Sequence, residues 1–60
     1  MTLEELVRKT NYKGMSIVFQ MEGDNKYEME YTDELLETHG DLEAEFEGTY
    51  RNNMVVMLKK

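Results

Sequence analysis

The chain lacks cysteine, proline and tryptophan, and it has a single histidine among 60 residues. Without cysteine there can be no disulfide framework and no thiolate-bound metal, and one histidine is too few for a structural zinc site. A chain of this length forms at most one domain, residues 1–60, and buries only about 60% of the surface that its unfolded form exposes. We therefore expect a small core that no metal or other cofactor reinforces.

Positive charge is also scarce, because 7 lysines and arginines stand against 13 aspartates and glutamates, for a net charge of −6. Nucleic-acid affinity comes mostly from cations that neutralise phosphates, so we expect no direct nucleic-acid binding. Anionic membrane surfaces would repel the chain for the same reason. Apolar runs are far shorter than the ~18 residues of a membrane span, and the first residues carry acids where a signal peptide carries positive charge. These features predict a soluble, cytoplasmic protein.

Two short helices are predicted from hydrophobic periodicity. The second begins after Thr32, the expected N-cap of the segment DELLETH, and ends at Gly40. The first spans Met1 to Thr10, where Thr2 and Glu5 have the spacing of a capping box. Its apolar face consists of Leu3, Leu6 and Val7.

A β-hairpin is predicted between the helices. Residues Met15 to Glu22 alternate apolar and polar side chains, and so do Lys26 to Thr32. The residues between them, with the sequence Gly-Asp-Asn, are typical of a turn. The side chains expected to face the core are Met15, Ile17, Phe19, Met21, Tyr27, Met29 and Tyr31.

A second hairpin is predicted after the second helix. Alternation resumes from Asp41 to Gly48, and the turn is expected near Arg51–Asn53, where asparagine tolerates left-handed backbone. A three-residue loop would pair Tyr50 with Met54. A two-residue Asn-Asn loop would instead turn Val55 and Met57 inward. We favour three residues because the shared apolar face is then larger, with Leu42, Ala44, Phe46, Met54, Val56 and Leu58.

The order of elements is therefore α-β-β-α-β-β, an α+β fold. The strands Met15–Met21 and Met54–Leu58 are apolar on both faces, as central strands tend to be. The strands Lys26–Thr32 and Asp41–Gly48 are acidic on one face, which suits edge positions. We predict a four-stranded antiparallel sheet in the order 2-1-4-3, with both helices on one face. A meander in the order 1-2-3-4 is the alternative.

The segment from Tyr27 to Glu47 contains nine carboxylates and no lysine or arginine. Glutamates along an edge strand discourage pairing with other chains, which is one explanation of this segment. The other is recognition of a basic groove in the manner of nucleic acid. One glutamate every ~6.7 Å along a strand reaches only about a quarter of the charge density of duplex DNA. The candidate partner-binding residues here are Glu28, Glu30, Glu43, Glu45 and Glu47.

The predicted order also places an apolar stripe between the acidic rows, on the sheet face away from the helices. An apolar surface rimmed by charge is typical of a protein-binding or dimer face. Methionine suits such a surface because it is flexible and polarisable. Alternatively, these side chains serve only the strand propensity of a half-wet sheet. The stripe consists of Val18, Val55 and Met57, which are further candidate partner-binding residues.

The sequence predicts no catalytic, cofactor-binding or metal site. His39 ends a short helix, where histidine acts more often as a cation near the helix dipole than as a base. Ser16 has no histidine near it in the sequence, and the glutamates are too uniform to single out an acid–base pair. The turn at Gly23–Asn25 lacks the further oxygen ligands that calcium requires.

Three segments, Thr2–Gly14, Asp33–Gly40 and Asn52–Lys60, give the chain a familiar outline. It resembles the short uncharacterised reading frames of phages and prophages of Gram-positive bacteria in length and layout, without a catalytic motif. The resemblance implies a small accessory protein that binds a host protein or blocks a host defence system.

The residues and the resemblance together predict a non-catalytic protein-binding module. In its concrete form it is an inhibitor that occludes a basic groove of a host nucleic-acid enzyme or defence protein. The alternative is a self-assembling subunit, such as a homodimer, with no inhibitory role.

Overall fold

Residues 1–59 of the chain are described by a computed structural model. The elements are α1 Leu3–Thr10, β1 Ser16–Met21, β2 Tyr27–Tyr31, α2 Thr32–His39, β3 Glu43–Tyr50 and β4 Asn53–Lys59. The strands of this part of the chain form one sheet in the order β2-β1-β4-β3, which confirms the predicted α+β fold and its strand order.

The first helix begins with the predicted capping box. The Thr2 hydroxyl accepts a hydrogen bond from the Glu5 N–H at 3.2 Å, and the Glu5 carboxylate accepts one from the Thr2 N–H at 3.1 Å. The helix ends before Asn11, whose φ of 60° and ψ of 40° are left-handed. Asparagine tolerates this conformation, so both ends of α1 follow from local sequence.

Thr32 does not cap the second helix, so that prediction is wrong. The N-cap is Tyr31, whose side chain makes no capping bond to the described helix. The Thr32 side chain is fully buried instead. Its hydroxyl lies 2.9 Å from the Tyr12 carbonyl oxygen and also contacts that of Met15. The carbonyl groups before β1 therefore satisfy the buried hydroxyl, which would be costly to leave unpaired.

The two central strands, β1 and β4, run parallel, so the prediction of a wholly antiparallel sheet is wrong. Each edge strand is antiparallel to its central neighbour. The cause is α2, which follows β2 directly and has 8 residues. At ~1.5 Å per residue it carries the chain back by about 12 Å, so β3 starts at the end of the sheet where β2 started. Strands β2 and β3 thus share a direction, and so do their partners.

The core lies between the two helices and one face of the sheet. Phe19 and Val56 are buried there as predicted, with 4% and 0% exposure. Phe46 lies on the same side but is 50% exposed, because β3 is an edge strand, so its predicted burial is wrong. Met15 precedes β1 and is also exposed, against the prediction. The buried cluster comprises Leu3, Leu6, Val7, Ile17, Phe19, Leu35, Met54, Val56 and Leu58.

In the first hairpin, the face assignment of β2 is the reverse of the predicted one. Val18 pairs with Met29, and Gln20 pairs with Tyr27. Paired residues of an antiparallel ladder point to the same face, so the apolar residues of β2 share the face of Val18, away from the helices. The inward orientation predicted for Tyr27, Met29 and Tyr31 is therefore wrong, and each is more than half exposed.

The loop of the first hairpin explains this reversal. The last pair of the ladder is Gln20 and Tyr27, and the residues between them, 21–26, are even in number. The predicted orientation, with Tyr27 on the same face as Phe19, requires an odd number of residues between the paired positions. Gly23 has a φ of 88°, and the Asp24 carboxylate accepts a hydrogen bond from the Lys26 N–H at 3.0 Å. These local features set the loop length, and a change of one residue turns a whole strand over.

The second hairpin turns through two residues rather than the predicted three. Tyr50 pairs with Asn53, and the loop residues Arg51 and Asn52 have φ values of 49° and 67°. Positive φ at both central residues is the mark of a type I′ turn, whose twist matches that of the strands.

A β-bulge in β3 then changes which side chains of that strand face the core. A regular ladder from the two-residue turn would pair Phe46 with Met57 and direct it away from the helices. The extra residue, Glu47, shifts the pairing, so that Phe46 lies opposite Val56 on the core side. The predicted face of Phe46 is thus confirmed, although the predicted loop that led to it is wrong.

Candidate functional site

The sheet face opposite the helices carries a group of apolar and aromatic side chains beside polar ones such as Gln20, and no described element covers it. Val18 and Val55 are register partners at its centre, and Met57 lies beside Gln20 on the same side. The predicted stripe therefore lies on the face away from the helices, as expected, but not between two acidic rows, because Glu28 and Glu30 point to the other face. We call the wider surface the open face, and define it by Val18, Tyr27, Met29, Tyr31, Tyr50, Val55 and Met57.

A shallow hollow of about 380 Å³ lies on the open face. Val18 and Val55 form its floor, and Tyr27 from β2 and Tyr50 from β3 form its walls. The two tyrosines are more than half exposed. Tyrosine is suited to such a position because its ring is apolar and its hydroxyl remains in water. The hollow can accept an apolar side chain and offers it no charged group.

One wall of the hollow has a cation beside it. The guanidinium carbon of Arg51 lies 5.4 Å from the centroid of the Tyr50 ring, within the range of a cation–π contact. Arg51 is held there by the type I′ turn that begins directly after Tyr50. We expect this contact to restrain the ring that borders the hollow.

The candidate glutamates lie at two separate places. Glu28 and Glu30 on β2 pair with core residues of β1, so they point to the helix side of the sheet. Glu43 and Glu45 on β3 pair with β4 residues of the opposite side, so they border the open face. Glu47 occupies the bulge between them and the turn. The two rows lie at opposite edges and on opposite faces, so the described residues present no continuous acidic strip that could imitate nucleic acid.

The β3 row also has cationic neighbours. The Glu43 carboxylate lies 2.7 Å from the α-ammonium of Met1, and the Glu45 carboxylate lies 3.5 Å from Nζ of Lys59. The hydrogen bond to Glu43 raises the pKa of the Met1 α-ammonium above its ordinary value. Such exposed pairs contribute little stability, but they reduce the negative charge that β3 presents.

The outer edge of β3 is partly covered by the start of the chain. Thr2 forms a bridge with Glu43, and the Ala44 N–H donates to the Met1 carbonyl at 2.8 Å. The edge strand β2 differs, since within residues 1–59 its one strand neighbour is β1. The two edges of the sheet are thus unequal in their free backbone groups.

Among residues 1–59, no three His, Cys, Asp or Glu side chains are arranged to hold a metal ion. The ring of His39 packs near that of Phe19, with centroids 5.8 Å apart, and its Nδ1 lies 2.6 Å from the Thr38 hydroxyl oxygen. A second depression, of about 590 Å³, follows the turn from Met21 to Asn25 and has only Met21 to bury an apolar group.

The sequence identified the central residues of the open face and missed the residues around them. The missed residues come from the edge strands, where the alternation Tyr-Glu-Met-Glu-Tyr is equally compatible with either orientation. The usable signal was the length of the loop before β2, because the parity of that length fixes which side of the strand faces the core. The members missed are Tyr27, Met29, Tyr31 and Tyr50.

No helix within residues 1–59 is long and apolar enough to cross a membrane. In comparisons with known proteins, no protein-family model, no curated protein and no solved structure matches this chain.

Proposed function

We propose that the chain is a non-catalytic protein-binding module and that the open face is its binding surface. One observation carries this proposal: four large side chains, each more than half exposed, share one side of the sheet with two valines, and two of the four form the walls of a hollow over those valines. Contiguous apolar patches on small soluble proteins mark interaction sites, and tyrosine and methionine are enriched in protein interfaces. The exposed residues are Tyr27, Met29, Tyr31 and Tyr50.

The partner inferred from charge is a basic protein with an apolar anchor. The chain has a net charge of −6, and Glu43 and Glu45 border the open face. Complementary charge favours encounter with a partner of opposite sign, whereas a second copy brings the same charge. An apolar side chain of the partner would enter the hollow, and its lysines or arginines would lie over the glutamates at the β3 border.

This proposal includes an inhibitor from a mobile element that occludes a basic groove of a host nucleic-acid enzyme or defence protein. The contact differs from the one expected from the sequence, because the groove would meet the open face with its apolar centre. The glutamates would then act at the rim, where charges affect mainly the rate of association.

A second copy of the chain is the competing occupant of the same surface. A standard interface buries about 800 Å² on each partner, roughly one fifth of the 4180 Å² surface of this chain. Sedimentation velocity at rising concentration separates the two occupants. We expect a monomer up to high micromolar concentration, and a dimer that Val55→Glu returns to monomer would contradict the proposal in favour of self-assembly.

Binding by a purified partner, first captured from the source host and then produced separately, tests the surface itself. Val55→Glu should weaken binding by at least about tenfold, because it places an unpaired charge against the hollow. Lys9→Gln on α1 is the matched control, since it makes the same change in net charge on an exposed helix position.

Tyr50→Ala is the companion variant in case Val55→Glu perturbs folding, because Tyr50 is more than half exposed. It should also weaken the complex. Equal affinities for Tyr50→Ala, Lys9→Gln and the unmodified chain would show that the partner binds elsewhere and would overturn the proposal.

A further inference from the structure

We propose that the outer edge of β2 binds an extended segment of a protein partner whose basic and apolar side chains alternate. The segment would add a strand to the sheet beside Tyr27–Tyr31. This inference depends on the proposed function only in that the segment belongs to a protein. The surface is a different one, a row of backbone groups at an edge rather than the open face.

The free backbone groups of this edge can be located from the ladder. The Thr32 N–H donates to the Met15 carbonyl at 2.8 Å, which makes this position a hydrogen-bonded pair next to the β1–β2 register. Hydrogen-bonded and non-hydrogen-bonded pairs alternate along an antiparallel ladder. The even-numbered residues of β2 therefore direct their backbone groups to β1, and Tyr27 and Met29 direct theirs outward. An added strand would bond to those two residues.

The side chains of β2 define what kind of strand fits. On the helix side, Glu28 and Glu30 stand ~6.7 Å apart, the spacing of alternate residues in any strand. A neighbouring strand places its own alternate side chains beside them, and opposite charges across a strand pair are favourable. On the other side, Met29 and the tyrosines would meet apolar side chains and continue the open face. The complementary sequence has lysine or arginine at every second position and apolar residues between.

The same strand disfavours a second copy of the chain. Tyr-Glu-Met-Glu-Tyr reads the same in both directions. Two β2 strands paired about a two-fold axis with full overlap would place Glu28 of each opposite Glu30 of the other. Like charges directly opposite destabilise a strand pair. A strand with lysine or arginine at these positions reverses the sign of that interaction, so the glutamates select the partner as well as excluding copies.

A synthetic peptide of alternating lysine and valine, about seven residues long to cover β2, is the probe for this site. The control peptide has the same composition with all its lysines first, so that it carries the same charge but cannot direct it to one face. In titrations followed by NMR, the alternating peptide should shift the amide signals of Tyr27 and Met29 and slow their hydrogen exchange. The control peptide should bind at least about tenfold more weakly.

Charge reversal supplies the matched variants. Glu28→Lys with Glu30→Lys should lose the lysine–valine peptide and gain an alternating glutamate–valine peptide. Glu43→Lys with Glu45→Lys makes the same change in charge on β3 and should keep the preference for lysine. Met29→Pro removes an outward N–H, which an edge strand tolerates, and should also abolish binding. Equal binding of the two lysine peptides, or equal losses from the β2 and β3 reversals, would show unspecific attraction and overturn the inference.

One further variant separates this site from the open face. Tyr50 lies on the opposite edge strand, so Tyr50→Ala should leave binding of the lysine–valine peptide unchanged. If the peptide fails to bind while Val55→Glu still blocks the purified partner, the edge site is wrong and the open face stands. If the peptide binds at β2 while partner binding ignores Val55→Glu and Tyr50→Ala, the edge site stands and the open face is wrong.

Discussion

The two edge strands of the sheet exclude other chains in different ways. At its start, β3 is covered by Met1 and Thr2, and farther along it is bent by the bulge at Glu47. Within the described residues, β2 has neither device and carries only Glu28 and Glu30. A cover or a bulge obstructs any approaching strand, whereas carboxylates repel acidic strands and attract basic ones. The β3 edge therefore obstructs any added strand, whereas the β2 edge repels acidic strands and attracts basic ones.

Removing the glutamates from one edge or the other should produce the largest difference between the two edges, and the difference should be in aggregation. Glu28→Thr with Glu30→Thr should make the chain aggregate, because threonine keeps strand propensity and leaves the free backbone of β2 unguarded. Glu43→Thr, Glu45→Thr and Glu47→Thr together should leave it soluble, although they remove more charge. Light scattering at equal protein concentration measures both. Faster aggregation of the triple variant would mean that net charge, rather than the cover and the bulge, protects β3.

Aromatic truncation compares the central strand β1 with the edge strand β3. Phe19→Ala should cost roughly 3–5 kcal/mol of unfolding free energy, as for a fully buried phenylalanine. Phe46→Ala should cost about half as much, roughly 1.5–2.5 kcal/mol, since half of that side chain is already in water. Urea denaturation followed by circular dichroism gives both values. Equal losses would show that Phe46 is more enclosed in solution than its position on the edge suggests.

A buried hydroxyl connects the end of β2 to the segment before β1. Thr32→Val keeps the shape of the side chain but removes the hydroxyl that contacts the carbonyls of Tyr12 and Met15, each of which still accepts a backbone N–H. We expect a loss of about 0.5–1.5 kcal/mol in unfolding free energy, the net contribution of a typical hydrogen bond. Thr32→Ser keeps the hydroxyl and serves as the control in the same denaturation experiment. A valine variant that is as stable as the serine variant would show that the hydroxyl adds nothing to the backbone hydrogen bonds of these carbonyls.

The smallest effect concerns the segment that covers β3. Hydrogen bonds from Thr2 lower the pKa of the Glu5 carboxyl below its ordinary value of 4.5. A folded-state pKa below the unfolded one stabilises the fold above that ordinary value, and the contribution is lost as the pH falls through the folded pKa. Glu5→Gln keeps a capping-box acceptor but cannot titrate, so its stability should fall less in acid. If the melting temperatures of Glu5→Gln and of the unmodified chain fall equally as the pH is lowered, Glu5 is not the group responsible.

Local patterns in the sequence predicted the elements and their order, and they failed where a count of residues decides the geometry. The capping box at Thr2 and Glu5 could be identified because it involves near neighbours. The direction of β3 depends on how far α2 carries the chain, and that distance follows from the number of residues in the helix rather than from their types. The type I′ turn could not be predicted from residue types, because Arg51 is an unusual residue for positive φ.

The candidate site was predicted in part for the same reason. Val18, Val55 and Met57 lie on central strands that are apolar on both sides, so their place on the face away from the helices followed from strand order alone. Tyr27 and Met29 lie on an edge strand with one acidic and one apolar side. Which of the two sides faces the core depends only on whether the loop before the strand has an even or an odd number of residues. Residues whose environment depends on register are those that alternation by itself cannot assign.

The bulge in β3 gives the chain one position where its length can change without changing its architecture. If the codon for Glu47 were deleted, Phe46 and Gly48 would become neighbours and could keep their present partners, Val56 and Val55. The ladder would become regular and the core side of the strand would be preserved. What would be lost is the bend that keeps this edge unattractive to other strands. A one-residue deletion there should therefore leave a folded protein and be selected against through its tendency to associate.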